Sequence, residues 1–288
     1  MLLQQIVNGL VAGSAYALIA LGYALIYGVL GLINLAQGEL YMAGAFGLWM
    51  GVAWLGLPLS WSVALGLALA GIVGLGMERA VFRPLRQRHP LIPMLAAIGL
   101  SIILQSAALL VFGPDTKPFP LTLSPTVWDF GLFRISSLQA LLFGSAILLM
   151  SGLIWFVKYS KMGKALQAVA LDMEAARIVG VRPETIVALA FVIGAMLSGA
   201  AGMMMAAYYN ATYPYMGVLT GLKGFCAAVL GGAGSIPGAI VGGLLLGLAE
   251  NLGAAYISSG FKDAFAFALL VLILLVRPSG LLGKPRHS

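Results

Sequence analysis

Residues 8–46 read NGLVAGSAYALIALGYALIYGVLGLINLAQGELYMAGAF, and Glu39 is the only charged residue among them. A helix that crosses the hydrocarbon core of a bilayer needs about 20 predominantly apolar residues. The first part of this stretch meets that requirement, and Asn34, Gln37 and Glu39 then interrupt it. The stretch therefore predicts a membrane-spanning helix, a polar break and a second apolar segment.

The whole chain has the composition of an integral membrane protein. Of its 288 residues, 61% are hydrophobic and only 9% are charged, whereas an ordinary soluble domain carries about 25% charged residues. The N-terminal MLLQQIVNGLVAG lacks the positive region of a signal peptide, so we expect it to be retained in the first span. We predict an all-α polytopic membrane bundle, a single domain over residues 1–288. Its eight or nine transmembrane segments lie near residues 5–28, 38–55, 60–78, 91–112, 137–157, 185–209, 217–232, 237–257 and 263–276.

Two of these segments contain short, glycine-flanked apolar runs, at residues 42–55 and 219–230. They are candidates for broken or re-entrant half-helices. Irregular backbone is tolerated in a bilayer only where it lines a cavity or is buried in protein, so such breaks often mark a transport path. The alternative is that the glycines serve close packing between helices.

Basic residues predict the orientation of the bundle, because Lys and Arg next to membrane spans favour the cytoplasm. One set of alternate loops holds twelve of them and the other set holds three, so we expect the first set and the C-terminus to be cytoplasmic. An odd number of passages would place the N-terminus outside. The net charge of +7 then reflects topology, and no soluble basic face for nucleic acid is predicted. The first set is Arg79, Arg83, Arg86, Arg88, Lys158, Lys161, Lys164, Arg177, Arg182, Arg277, Lys284 and Arg286, and the second is Lys117, Arg134 and Lys262.

Sequence signals for catalysis or cofactor binding are lacking. His89 and His287 have no carboxylate or cysteine at ligand spacing, and the single Cys226 lies in an apolar run. The stretch GGAGSIPG at residues 231–238 lacks the lysine of a P-loop, and Gly-x-x-x-x-Gly-Lys-Ser/Thr does not occur in the chain. We therefore expect a protein that is not an enzyme and holds no metal or cofactor of its own.

Polar residues and glycines in or beside the apolar segments are the candidates for a translocation path. Glu39 either caps a helix at its N-terminus or lines the path. Lys223 and Glu250 either pair, because an isolated charge at the bilayer centre costs at least about 2.5 kcal/mol, or Lys223 extends to the membrane surface. An ion-coupled secondary transporter would use such residues to bind its coupling ion, so that class stays open. The candidates are Asn34, Gln37, Glu39, Lys223, Gly231, Gly232 and Glu250.

Residues 162–180 form an amphipathic segment in the largest basic loop. Leu166, Val169 and Met173 recur at helical spacing. Gly180 suits the C-terminal cap of this helix, and Pro183 suits the first turn of the next one. The pattern alone is typical of a helix that lies on the membrane surface.

Three stretches together resemble the LivH-type permeases of branched-chain amino-acid ABC importers. They are residues 8–46, residues 163–181 (GKALQAVALDMEAARIVGV) and residues 227–251 (AAVLGGAGSIPGAIVGGLLLGLAEN), and the resemblance covers essentially the whole chain. Within the second stretch, the residues that resemble the EAA signature of ABC-importer permeases are Glu174, Ala175, Ala176 and Gly180. The Ile-x-Leu-Pro that often follows this signature is replaced by Ala190-Phe191-Val192-Ile193, which argues against the simpler importer subtypes.

The resemblance implies an inner-membrane permease subunit that moves branched-chain or other hydrophobic amino acids into the cytoplasm. Its implied partners are a homologous second permease subunit, two cytoplasmic ATPase subunits that bind ATP and Mg, and a periplasmic substrate-binding protein. A coupling helix at about residues 162–180 would dock on an ATPase subunit. Amides or urea remain possible substrates, because in such importers the binding protein determines most of the substrate selectivity. The loop at residues 113–136 mixes prolines, aromatic residues and balanced charge, so it either contacts that binding protein or is a connector with no partner.

Overall fold

The computed structural model describes residues 2–119, 126–129, 134–277 and 279–283. A π-helical turn, Glu78–Phe82, joins the third helix to the fourth, and a 3-10 turn, Ser259–Phe261, precedes the last helix. Two three-residue strands, β1 (Val127–Asp129) and β2 (Arg134–Ser136), form an antiparallel hairpin. The helices are α1 (Leu2–Leu30), α2 (Gln37–Ala53), α3 (Leu59–Met77), α4 (Arg83–Leu85), α5 (Leu91–Phe112), α6 (Ser137–Tyr159), α7 (Lys161–Leu171), α8 (Met173–Ile178), α9 (Pro183–Tyr209), α10 (Met216–Gly231), α11 (Ile236–Tyr256) and α12 (Lys262–Val276).

Seven helical stretches in the described ranges are long and apolar enough to cross a membrane. They are α1, α3 with its continuation to Leu85, α5, α6, α9, α11, and α12 with the turn before it. The helices α2 and α10 are shorter, with 17 and 16 residues. Each predicted apolar segment thus corresponds to a helix, and the predicted all-α polytopic bundle is confirmed. The hairpin is an addition that the apolar pattern did not predict.

One end of the bundle, called here the hairpin end, gathers the sparsely charged loops. Gln4 near the start of α1 bonds both backbone groups of Arg134: its Nε2 donates to the carbonyl oxygen at 3.1 Å, and its Oε1 accepts from the N–H at 2.8 Å. Lys117 forms an isolated antiparallel bridge with Thr212, just beyond the end of α9. The N-terminal end of α1 therefore lies at the hairpin end.

The opposite end, called here the basic end, holds the densely charged loops. Arg86 after α4 and Arg177 in α8 both bind Glu184 at the start of α9. Arg86 and Arg177 of the first basic set therefore lie at the opposite end of the bundle from Lys117 and Arg134 of the second set. The two members Lys284 and Arg286 lie outside the described residues, as do parts of the loop at residues 113–136.

Both short helices begin inside the bundle. After α1 the chain turns at Gly31, which has φ of +65°, and α2 starts at the fully buried Gln37. After α9 the chain turns at Asn210, which has φ of +52°, and α10 starts at the buried Met216. The breaks therefore lie before α2 and α10, whereas residues 42–53 and 219–230 are continuous helix. Each break is a non-helical stretch followed by a helix that starts within the protein.

The two breaks are related as an inverted pair. A Cβ on Gly38 in α2 would overlap the carbonyl oxygen of Gly217 in α10, and a Cβ on Gly217 would overlap that of Gly38. The helix α1 packs on α11 as α9 packs on α3, and α2 packs on α9 as α10 packs on α1. Because α1 runs from the hairpin end towards α7 and α9 runs the other way, the units α1–α3 and α9–α11 have opposite orientations, as in transporters built from inverted repeats.

Gly38→Ala is expected to lower stability, because the added methyl group would overlap backbone atoms of α10 that cannot rotate away. Overpacking of this kind typically costs about 1–3 kcal/mol. The midpoint of thermal unfolding in detergent would measure the loss. Gly99→Ala in α5 is the matched control, since its Cβ would meet nothing within 4 Å. Equal midpoints for the two variants would contradict the close contact between α2 and α10.

Candidate functional site

Asn34 and Gln37 form a buried lock at the start of α2. Gln37 Nε2 donates to the carbonyl oxygen of Gly194 at 3.1 Å and to Ser198 Oγ at 2.8 Å, both in α9. Asn34 Nδ2 donates to Gln37 Oε1 at 3.1 Å, and Asn34 Oδ1 accepts from the N–H of Ala36 at 3.1 Å. Since a buried amide is costly unless it is hydrogen-bonded, these bonds fix both the position of the break and its contact with α9.

Glu39 bridges α2 to α5. Its Oε1 accepts from Ser101 Oγ and from Gln105 Nε2, each at 2.8 Å. Its Oε2 is buried and has no hydrogen-bond partner among the described residues. Glu39 lies in the first turn of α2, but its side chain accepts hydrogen bonds from α5 and none from the backbone N–H groups of α2. The site therefore holds one carboxylate oxygen for which the described part of the chain supplies no donor.

Lys223 and Glu250 form the ion pair that was one of the two alternatives from the sequence. Lys223 Nζ lies 2.7 Å from Glu250 Oε1 and 2.6 Å from Asp263 Oδ1, and Lys262 Nζ lies 3.5 Å from the same Glu250 oxygen. The side chains of Lys223 and Glu250 are 7% and 0% exposed. Two positive and two negative charges thus cancel where α10, α11 and the start of α12 meet. Sequence reasoning did not include Asp263 and Lys262 because α12 comes beside Lys223 only in the fold.

Gly231 and Gly232 lie apart from these groups, at the end of α10 that faces away from its buried start. The carbonyl oxygen of Gly231 accepts from the N–H of Leu282 at 2.9 Å. Gly232 has φ of +111°, and a Cβ there would overlap the backbone of Gly283. These two glycines therefore seat residues 279–283 against the turn between α10 and α11.

An apolar cavity of about 210 Å³ lies between α1 and α10. The rings of Tyr23 and Phe225 meet edge to face with centroids 5.7 Å apart, and Tyr23 Oη donates to the carbonyl oxygen of Gly221 at 3.3 Å. Aromatic and aliphatic walls with few polar groups suit an apolar side chain. Aromatic residues spread along apolar helices gave no sequence signal for this cavity. It is lined by Tyr23, Ala24, Tyr27, Ile33, Phe225, Ala228, Val229, Ala233 and Gly234.

The segment at residues 162–180 forms two helices, α7 and α8, where the periodicity predicted one. Asp172 between them is extended, with φ of −155°, and caps α8. Its Oδ1 accepts from the N–H groups of Glu174 at 2.9 Å and Ala175 at 3.0 Å. An aspartate is a preferred N-cap, so Asp172 was the signal available in the sequence for this break.

Gly180 ends α8 in the conformation predicted for a glycine cap. Its φ is +90°, its N–H donates to the carbonyl oxygen of Arg177 at 3.1 Å, and the N–H of Val181 donates to that of Ala176 at 3.0 Å. These two bonds form a Schellman motif. Pro183 then occupies the first turn of α9, as predicted. A Cβ on Gly180 would meet nothing within 4 Å, so the requirement for glycine is conformational.

Two sets of apolar residues in this loop face opposite ways. Leu166, Val169 and Ala176 are buried against the bundle. Leu171, Ile178 and Val179 are 88%, 86% and 76% exposed. The apolar stripe predicted from periodicity thus packs on the helix bundle. The second apolar set, at the ends of α7 and α8, is accessible to a partner.

Comparisons with known proteins cover nearly the whole chain. The family described as "Branched-chain amino acid transport system / permease component" matches residues 5–274. The high-affinity branched-chain amino acid transport system permease protein LivH of Escherichia coli (strain K12) is 43% identical, over 98% of this chain and 96% of its own length. The corresponding BraD protein of Pseudomonas aeruginosa is 44% identical over the same shares. The probable branched-chain amino acid transport permease protein LivH of Methanocaldococcus jannaschii is 26% identical over 96% of this chain and 91% of its own.

Lys223→Met is expected to destabilise the bundle, because the buried Glu250 would keep Lys262, 3.5 Å away, as its one cationic partner among the described residues. Removing one partner of a buried ion pair costs about 3–5 kcal/mol, whereas apolar replacement of both partners is often neutral. Lys223→Met/Glu250→Leu should therefore regain most of the lost stability in thermal unfolding.

Arg134→Gln is the matched control for that experiment, since its pair with Asp129 is largely exposed and should contribute little. A wild-type unfolding midpoint for Lys223→Met alone would show that the cluster does not hold α10 in place.

Proposed function

The chain belongs to the family of branched-chain amino acid transport permease components, and on this premise we propose that it is the membrane-spanning subunit of an ATP-driven importer. Its cargo would be branched-chain or other hydrophobic amino acids, moved into the cytoplasm. The observation that carries the proposal is the 43% identity with a LivH permease over nearly the full length of both chains. The inverted pair of broken helices supports it, because transporters bind cargo at breaks of this kind.

The path would run past the start of α2. Glu39 Oε2, buried and unpaired in the described residues, suits the ammonium group of an amino acid, because a carboxylate in an apolar setting needs a charged or donating partner. The cavity beside Tyr23 and Phe225 suits a branched apolar side chain. Amides or urea would use the hydrogen bonds but not the apolar wall, so they are the alternative substrates.

Partner subunits would supply the energy and the delivery of cargo. Since the sequence has no P-loop, two ATPase subunits would bind ATP and Mg at the basic end. A homologous second permease subunit would complete the pathway, and a periplasmic binding protein would dock at the hairpin end. An ion-coupled mechanism has less support, because Lys223 and Glu250 already neutralise each other. Family members are transporter subunits, and we assign no catalytic residue to this one.

Coupling to the ATPases would occur through α8. The exposed apolar residues Leu171, Ile178 and Val179 provide a surface that a groove in the partner could bury. Glu174 is also exposed, in the first turn of α8. Gly180 and Pro183 fix the angle between this surface and α9, so movement of α8 would be passed to a transmembrane helix.

Gly180→Val is expected to lower uptake and binding-protein-stimulated ATP hydrolysis together, because a β-branched residue disfavours positive φ by about 1 kcal/mol or more. Proteoliposomes that contain the permease pair and the ATPases, supplied with binding protein, would measure leucine uptake and phosphate release. Glu174→Ala should weaken docking or α8 itself. The control is Gly144→Val in α6, because Gly144 has no positive φ and a Cβ there would meet nothing within 4 Å. Wild-type complexes that take up no leucine with internal ATP would contradict the proposed function.

Cysteine labelling should place Arg86 in the cytoplasm and Lys117 on the periplasmic face of the bacterial inner membrane, because basic loops stay inside. Each position would be replaced by cysteine in turn. The native Cys226 is buried and should label weakly. Labelling of intact cells with an impermeant maleimide should modify position 117 and spare position 86. The reverse pattern would invert the orientation proposed for the subunit.

A further inference from the structure

Glu184 binds two arginines from separate parts of the chain. Its Oε1 accepts from Arg177 Nη2 at 2.7 Å and from Arg86 Nη2 at 3.1 Å. Arg177 belongs to α8, Glu184 to the first turn of α9, and Arg86 directly follows α4. One carboxylate oxygen thus joins three elements at the basic end.

The two bonds differ in their exposure to water. The Arg177 side chain is 61% exposed, that of Glu184 is 31% exposed and that of Arg86 is 14% exposed. Solvent screens exposed ion pairs more than buried ones. The Arg177 bond can therefore respond to a protein that docks on α8, while the Arg86 bond lies within the bundle.

The short helix α4 connects Arg86 to a π-helical turn at the end of α3. The π-helical turn Glu78–Phe82 extends α3, and π-helical turns are frequent at functional sites. Phe82 in this turn is fully buried, and its ring centroid lies 4.9 Å from that of Phe191 in α9. Glu78 Oε1 and Arg86 Nη1 are both buried without hydrogen-bond partners in the described ranges. Phe82 thus joins the turn that leads to Arg86 with the first third of α9.

We propose that Glu184 is a positioning residue that carries the movement of α8 to α3 and α9. The inference rests on the proposed docking of an ATPase on α8. The route leads to the cargo path, because α9 also supplies Gly194 and Ser198, the two acceptors that hold Gln37 at the start of α2. A shift of α9 would alter that lock and with it the position of the adjacent Glu39.

Glu184→Gln is the variant that tests this role, since it keeps the shape of the side chain and removes its charge. The complex with the second permease and both ATPases would be reconstituted with binding protein, and leucine uptake and ATP hydrolysis would be measured together. We expect the leucine taken up per ATP hydrolysed to fall by about fivefold or more, the lower end of typical coupling between sites. Co-purification of the ATPases and the unfolding midpoint should stay close to wild type, because ion pairs of a partly exposed carboxylate contribute little to stability.

A double-mutant cycle separates the link from an unrelated structural effect. Arg86→Gln should reduce the same ratio, and Arg86→Gln/Glu184→Gln should be no worse than Glu184→Gln alone, because both changes remove the same Arg86–Glu184 ion pair. Arg88→Gln is the matched control: it removes a positive charge two residues away from Arg86 and should leave the ratio unchanged.

The outcomes distinguish the inference from the proposed function. If wild type imports leucine with ATP and Glu184→Gln has the wild-type ratio, the positioning role is overturned and the proposed function stands. If Glu184→Gln fails to assemble, the exposed Arg177→Gln takes its place, and a wild-type ratio there overturns the role equally. If wild type hydrolyses ATP but imports nothing, the proposed function fails and so does any role in coupling it.

Discussion

A chain that stops being helical inside a bilayer must satisfy its polar groups with protein, because the hydrocarbon offers no hydrogen bonds. The amides of Asn34 and Gln37 meet this constraint before α2, by bonding each other and two acceptors in α9. The close backbone contact of Gly38 with Gly217 depends on the same placement. The remaining helices pack around these breaks, and Glu39 is presented to α5 because α2 starts where it does.

The two inverted units share this backbone contact but stabilise their breaks differently. Neutral amides hold the start of α2, whereas α10 is held by Lys223 with Glu250 and Asp263. Breaking the buried Lys223–Glu250 pair would cost more than losing one neutral hydrogen bond. In the proposed coupling, the α2 side, which carries Glu39 and contacts α9, is therefore the side expected to move with α9, and the α10 side is expected to stay with α11 and α12.

At the basic end, one set of apolar residues is buried and another is exposed. Leu166, Val169 and Ala176 attach the loop to the bundle, and Leu171, Ile178 and Val179 are left on its surface. The Schellman motif at Gly180 and the two ion pairs of Glu184, with Arg177 and Arg86, join that surface to the start of α9. A short, capped helix with a fixed exit is a stiffer connection than a long helix lying on the membrane would be. The residues proposed for the cargo path and those proposed for coupling thus meet on a single helix, α9.

Every apolar helix, the division of basic residues between alternate loops and the glycine cap at Gly180 could be predicted from the sequence, because these features depend on local hydropathy and backbone preference. The sequence also offered the Lys223–Glu250 pair, since two opposite charges in neighbouring apolar segments need each other. It predicted one helix over residues 162–180 because periodicity continues across Asp172, although the cap signal was present. The contact of α2 with α10 at Gly38 and Gly217 follows from how the helices pack, as do the bonds of Glu39 to Ser101 and Gln105 and that of Glu184 to Arg86. Those partners lie at least 62 residues apart in the chain. A contact between such distant residues depends on helix packing, which no local sequence pattern encodes.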